Sequence, residues 1–303
     1  LKVIIHAGCA KNGSTAFQTL MHRVGPALAD QGVYYPPAVL GHRDFAERAY
    51  IDDYEWVDRV MADARARDAT TLLISTEHFQ NVLCQKVYGL GIGLAFRERE
   101  AEEVRYVFSV RDPFDYFESI YAEAAKWFPI SVEQAANAAL RQGSFWTAWQ
   151  ALVPVAYVFD YATVFGEFRN YLATVDPAIT LDCWELSDFS HGFAGRRLLE
   201  TAGVSDGVLK EIEAGLESGE ITINRNQRSS AQDIEIFHAQ QYLFGNTVLP
   251  SLAAQKSDQL EPVANLVAQV AETKLRQINS QRDALRARFA ERFANWRECL
   301  SQD

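Results

Sequence analysis

The segment from Val3 to Leu28 constrains the fold more than any other. Val3-Ile4-Ile5 is a short apolar run, Gly8 and Gly13 bracket a polar loop, and Phe17, Leu20, Met21, Val24 and Leu28 then recur at helical spacing. An apolar run this short, without polar alternation, suits a strand buried on both faces. A strand that turns through glycines into an amphipathic helix is the first half of a βαβ unit. Comparable apolar runs lie at Thr71–Ser75, Tyr106–Val110, Val155–Phe159 and Ile179–Trp184. The last two bracket a helical pattern over about residues 161–174. Asp112 and Pro113 behind the Tyr106–Val110 run read as the N-cap and first residue of a further helix. Strands alternating with helices imply an α/β fold with a central, mainly parallel sheet flanked by helices.

After residue 186 strand signals fade and the chain reads as helical. With no repeat, low-complexity linker or composition break, the expectation is a single domain over 1–303. Its α/β cofactor-binding core is 1–186 and its mostly helical C-terminal part 187–303. From Pro262 towards Leu300, the residues Leu285, Phe289, Phe293, Trp296 and Leu300 form an apolar stripe. Such a stripe serves packing on the chain's own surface, a homodimer through this helix, or a cover over substrate.

The 303 residues carry a formal net charge of −11 and are nearly half apolar. That charge disfavours nucleic acid and anionic membranes as partners, and any anion must be bound by local geometry. The four cysteines, Cys9, Cys84, Cys183 and Cys299, follow no metal or disulfide spacing, so no metal is expected. No apolar run approaches the roughly 18 residues of a membrane span, and no secretory leader is visible. The location read from these features is cytoplasmic, with removal of a segment ahead of Leu1 left open.

The loop Gly8-Cys9-Ala10-Lys11-Asn12-Gly13-Ser14-Thr15 carries the chemistry. A loop between strand and helix gathers backbone N–H groups and the unpaired N–H groups of the first helical turn around an anion. Ser14 and Thr15 add hydroxyl donors and Lys11 a full charge. Gly8 and Gly13 have the separation of a nucleotide-triphosphate loop, but the lysine of that motif should stand where Ser14 is. Lys11 instead precedes Gly13 by two residues and approaches from the loop side. A second candidate anchor is Arg111, at the carboxyl end of a strand where ligands of open α/β sheets sit, with a guanidinium suited to bidentate phosphate binding. Ser119 follows on the next helix.

The Lys-x-Gly-Ser-Thr loop resembles the 5′-phosphosulfate loop of the sulfotransferases that use 3′-phosphoadenosine-5′-phosphosulfate (PAPS). His6-Ala7-Gly8 before it and Gly32-Val33-Tyr34-Tyr35-Pro36 after the helix are similar to the bacterial and carbohydrate branches of that family. Val110-Arg111-Asp112-Pro113 with Ser119 is similar to its 3′-phosphate motif. The likeness is good through the helix after Pro113 and weaker through Tyr161 and Trp184-Glu185. It implies a P-loop, nucleotide-kinase-like fold, with PAPS bound by Lys11, Asn12, Gly13, Ser14, Thr15, Arg111 and Ser119. A late loop often completes the site in this family; Asn224–Ser230, with Arg228, is the candidate, a solvated loop capping the next helix being the alternative.

The implied reaction moves a sulfuryl group from PAPS to a hydroxyl or amine of a carbohydrate or small-molecule acceptor. Lys11 would stabilise the leaving phosphate and Glu77 would take the acceptor's proton, with His78 and His42 as other candidates for the base. His6 reads as a structural hydrogen-bonding residue. Tyr34, Tyr35, Trp127, Phe128 and Trp146 suit a sugar-lined site or core packing. The rival readings are a kinase or NTPase with an atypical lysine, and a non-catalytic module that binds PAPS or its product.

Overall fold

The computed structural model describes residues 1–8, 13–37, 42–79, 86–124, 159–223 and 261–301. The expected strand at Val155–Phe159 falls, except for its last residue, outside them. The chain divides into two compact units, one of Leu1–Arg111, Tyr161–Asn226 and Arg297–Asp303, the other of Asp112–Asp160 and Gln227–Trp296.

The first unit is an α/β layer structure. Its five strands, β1 (Lys2–His6), β2 (Val33–Tyr34), β3 (Thr71–Ser75), β4 (Glu103–Val110) and β5 (Ile179–Glu185), form an all-parallel sheet in the order β2-β3-β1-β4-β5. Helix α1 (Ser14–Leu28) links β1 to β2. Helices α2 (Arg43–Ala49) and α3 (Glu55–Arg65) link β2 to β3, and α4 (Lys86–Glu98) precedes β4.

Burial explains the uninterrupted apolar runs. Strand side chains alternate between the two faces of a sheet, and here both faces are covered. Ile4, Leu73, Val107 and Trp184 share one core with Phe17, Leu20, Met21, Val24 and Leu28 of α1 and with Phe189, Leu198, Leu199, Leu209 and Ile212. The intervening residues of β4 pack the opposite way. Tyr106 and Phe108 meet Phe168 and Phe165 of α6 (Tyr161–Val175). The Tyr106 hydroxyl donates to the Gly89 carbonyl at 2.6 Å on this side. Helices α1 and α6 therefore cover opposite faces of the sheet.

The part after Glu185 that reads as helical is helical over its described residues: α7 (Leu186–Phe189), α8 (Arg196–Thr201) and α9 (Asp206–Ser218). It belongs to the α1 side of the sheet. Gly195 introduces α8 in the left-handed conformation (φ 87°), and a Cβ there would run into the Phe17 ring.

The second unit contains α5 (Pro113–Ala124) and α10 (Glu261–Arg292). Asp112 caps α5 as its sequence position implies, its Oδ1 accepting from the Phe114 and Asp115 N–H groups at 2.9 and 3.1 Å. The apolar stripe of α10 is used within the unit. Phe289 packs on Phe114, Phe117 and Phe159 with ring centroids 5.5, 5.4 and 5.6 Å away. Arg282 and Arg286 pair with Glu118 and Asp115 at 2.7 and 2.9 Å along the rim of that contact.

The Gly195 geometry gives a stability prediction. Gly195→Ala should lower the unfolding free energy in urea by about 2–4 kcal/mol, from left-handed strain plus overpacking against Phe17. A change below about 0.5 kcal/mol would contradict the assigned contact.

Candidate functional site

The carboxyl ends of β1, β3 and β4 lie side by side, because β1 pairs in register with both neighbours (His6 opposite Ser75 and Val107). Three connections leave from this edge: the glycine loop after His6, the Thr76-Glu77-His78 turn after Ser75, and Arg111 just past Val110. They are the segments that hold the residues selected from sequence.

Helix α1 starts as an anion site would. Gly13 is its N-cap in the left-handed conformation (φ 82°), with no side-chain cap and no acidic residue in the first turn. The first backbone bond inside the helix runs from the Phe17 N–H to the Gly13 carbonyl at 3.0 Å. The N–H groups of Ser14, Thr15 and Ala16 precede that bond and belong to the unpaired first turn. Ser14 is buried and Thr15 partly so. Lys11 and Asn12 lie outside the described residues, as does Arg228.

Behind the loop is a buried polar brace. His6 is fully buried, stacked on Phe189 at 4.8 Å, with Nδ1 2.9 Å from Ser75 Oγ. This is the structural hydrogen bond expected of it. The His6 Nε2 has no hydrogen-bond partner among the described residues, and a Cβ on Gly8 would stand 2.7 Å from that nitrogen and 2.8 Å from Ser109 Oγ. Only a glycine lets the chain leave β1 so close to its own imidazole.

His42 is held on both sides by backbone. The Ser75 N–H donates to Nδ1 at 3.0 Å, which leaves Nε2 protonated and donating to the Pro36 carbonyl at 2.9 Å. Its ring stacks on Phe45 at 5.1 Å, and Phe45 on Trp56 at 4.3 Å. With both nitrogens spent, His42 fastens the segment after β2 to the end of β3. A base needs a free lone pair, and this arrangement supplies none.

Glu77 and His78 are half-buried at the β3 edge. Gln18 Nε2 donates to Glu77 Oε2 at 2.9 Å. Sequence reading missed Gln18. Its one signal is a polar residue on the face otherwise formed by Phe17, Leu20 and Met21, one turn beyond Ser14. Tyr35, a candidate for lining a site, is buried in the α1 core, and its hydroxyl has no hydrogen-bond partner among the described residues. Burial, then the charge of Glu77, raises its pKa.

Electrostatics leave the imidazoles neutral near pH 7. Burial pushes His6 down to about 3. Burial also lowers His42, against the opposing pull of its backbone bonds, and lowers His78, against the Glu77 charge. Among the described residues Arg111 and the N–H groups of the first turn of α1 are left to meet an anion here, with Arg43 near His78. Arg111 is partly buried where β4 ends, and Ser119 is partly buried on α5 of the second unit.

Among the described residues no group of three or more His, Cys, Asp or Glu side chains could hold a metal. Among them, too, no helix is long and apolar enough to cross a membrane. Compared with protein-family models, curated proteins and solved structures, the chain has no significant match.

The depressed pKa of His6 predicts an acid sensitivity. The unfolded histidine takes a proton below about 6.5 and the folded one only near 3, so stability is whole above 6.5 and is lost as pH falls through that window. His6→Phe keeps the stacking and removes the titration. Between pH 6.5 and 5 the parent protein should lose about 2 kcal/mol more than this variant in urea unfolding. Equal losses would contradict the buried, neutral imidazole.

Proposed function

We propose that the protein is a sulfotransferase that transfers the sulfuryl group of PAPS to a hydroxyl or amine of a carbohydrate or small-molecule acceptor. One observation carries the reading: the loop after β1 enters an uncapped, acid-free helix start on the strand next to the one that ends at Arg111. The strands that follow β1 in sequence, β2 and β3, lie to one side of it and β4 and β5 to the other, and such a switch point is where open α/β sheets bind nucleotides. Two separated anion anchors suit a nucleotide phosphorylated at both its 5′ and 3′ ends. The sequence adds a lysine placed differently from that of a triphosphate loop.

The residues divide the work as follows. The Gly13–Thr15 turn, with Lys11 and Asn12, holds the 5′-phosphosulfate, and Arg111 takes the 3′-phosphate, with Ser119 and Arg228 as further candidate contacts. Glu77 accepts the proton of the acceptor O–H or N–H while that oxygen or nitrogen bonds to sulfur. The bond from sulfur to the bridging oxygen breaks, and its electron pair leaves on the 5′-phosphate of adenosine 3′,5′-bisphosphate. Lys11 and the helix start stabilise the charge that grows there. Of the three candidate bases, Glu77 is preferred because His42 has both nitrogens engaged. His78 is the neighbour that a loss of Glu77 would test.

Labelled sulfate should pass from PAPS to a member of an acceptor panel. Glu77→Gln should lower kcat by about 100-fold or more while binding of adenosine 3′,5′-bisphosphate is retained. Thermal stabilisation by ATP with Mg²⁺ and none by the bisphosphate would instead favour a kinase or NTPase. Binding without transfer to any acceptor would favour a non-catalytic module.

A further inference from the structure

We propose that Gln18 is the positioning residue for Glu77, fixing the orientation of its carboxylate. Its relevance to catalysis rests on the sulfotransferase reading; the pairing itself does not. Gln18 is only 8% exposed, on a helix face that is otherwise apolar. A buried primary amide needs partners for its N–H groups, and the Glu77 Oε2 at 2.9 Å is the acceptor it finds. A donor held against one carboxylate oxygen restricts the rotation of the group.

The position on α1 gives this bond its significance. Ser14 and Gln18 are one helical turn apart on the buried side of α1. The same rigid turn therefore presents N–H groups to an anion at its start and an amide to the carboxylate on the turn after β3. The occupied Oε2 leaves Oε1 as the oxygen to receive a proton from the acceptor. Glu77 is faced by the uncharged Tyr35 phenol from beyond β2 and by His78 on its own turn. Arg43 and Glu47 of α2 act in turn on His78. Gln18 supplies the hydrogen bond that neither Tyr35 nor His78 makes to it.

The test uses the full chain labelled with ¹⁵N, the Gln18 side-chain amide signal being assigned by its loss in Gln18→Met. That signal should shift in Glu77→Gln, which changes the acceptor of its hydrogen bond. Gln18→Met keeps the length and removes the donor, and should lower kcat about tenfold with little change in KM. Adenosine 3′,5′-bisphosphate affinity should stay within about twofold in Gln18→Met. In a Glu77→Gln background Gln18→Met should cost nothing more, the two losses being non-additive. Gln18→Leu removes the same donor and should behave alike, so a folding failure of one variant leaves the other to decide. An amide signal unmoved by Glu77→Gln would overturn the pairing. An unchanged kcat in both variants, or additive losses, would overturn its catalytic part. Absence of bisphosphate binding in the parent protein would sink the sulfotransferase reading and leave the Gln18–Glu77 pairing standing.

Discussion

The two parallel pairings of β1 are what everything at the candidate site depends on. Parallel strands present all their carboxyl ends at one edge, so pairing β1 with β3 and β4 gathers three separate stretches of sequence there. The His6–Ser75 hydrogen bond, the backbone bond from the Thr76 N–H to the His6 carbonyl at 3.0 Å, and the Ser75 N–H to His42 bond lock these ends together. Without that lock the glycine loop would have no fixed relation to Glu77.

Charge is handled locally rather than globally. A chain with a net charge of −11 does not attract an anion by its overall field. Burial keeps His6, His42 and His78 neutral, so they neither repel a cation nor hold an anion at neutral pH. The uncapped first turn of α1 and the Arg111 guanidinium are the groups suited to that task. The same edge carries Glu77, whose negative charge would oppose a bound anion. Glu77 is held there by the Gln18 amide.

Much of this was legible in the sequence, for physical reasons. The strands around Ile4, Leu73 and Phe108 are buried on both faces, which is why their apolar runs are uninterrupted. Asp112-Pro113 announced α5 because a cap and a proline act through local geometry alone. The edge strand β2 was not legible, since two residues, Val33 and Tyr34, give no periodicity. Gln18 was hidden by its position on an otherwise apolar helix face. His42 looked like a candidate base because its partners, the Pro36 carbonyl and the Ser75 N–H, are brought to it only by the fold.

The central claim is that the β1 loop and Arg111 together take a nucleotide with phosphates at both ends. Calorimetric titration with adenosine 3′,5′-bisphosphate and with adenosine 5′-monophosphate, on the parent protein and Arg111→Ala, tests it most directly. The bisphosphate should bind about 10–100-fold more tightly than the monophosphate, and Arg111→Ala should erase most of that difference. Equal affinities in the parent protein, or a difference untouched by Arg111→Ala, would contradict the account.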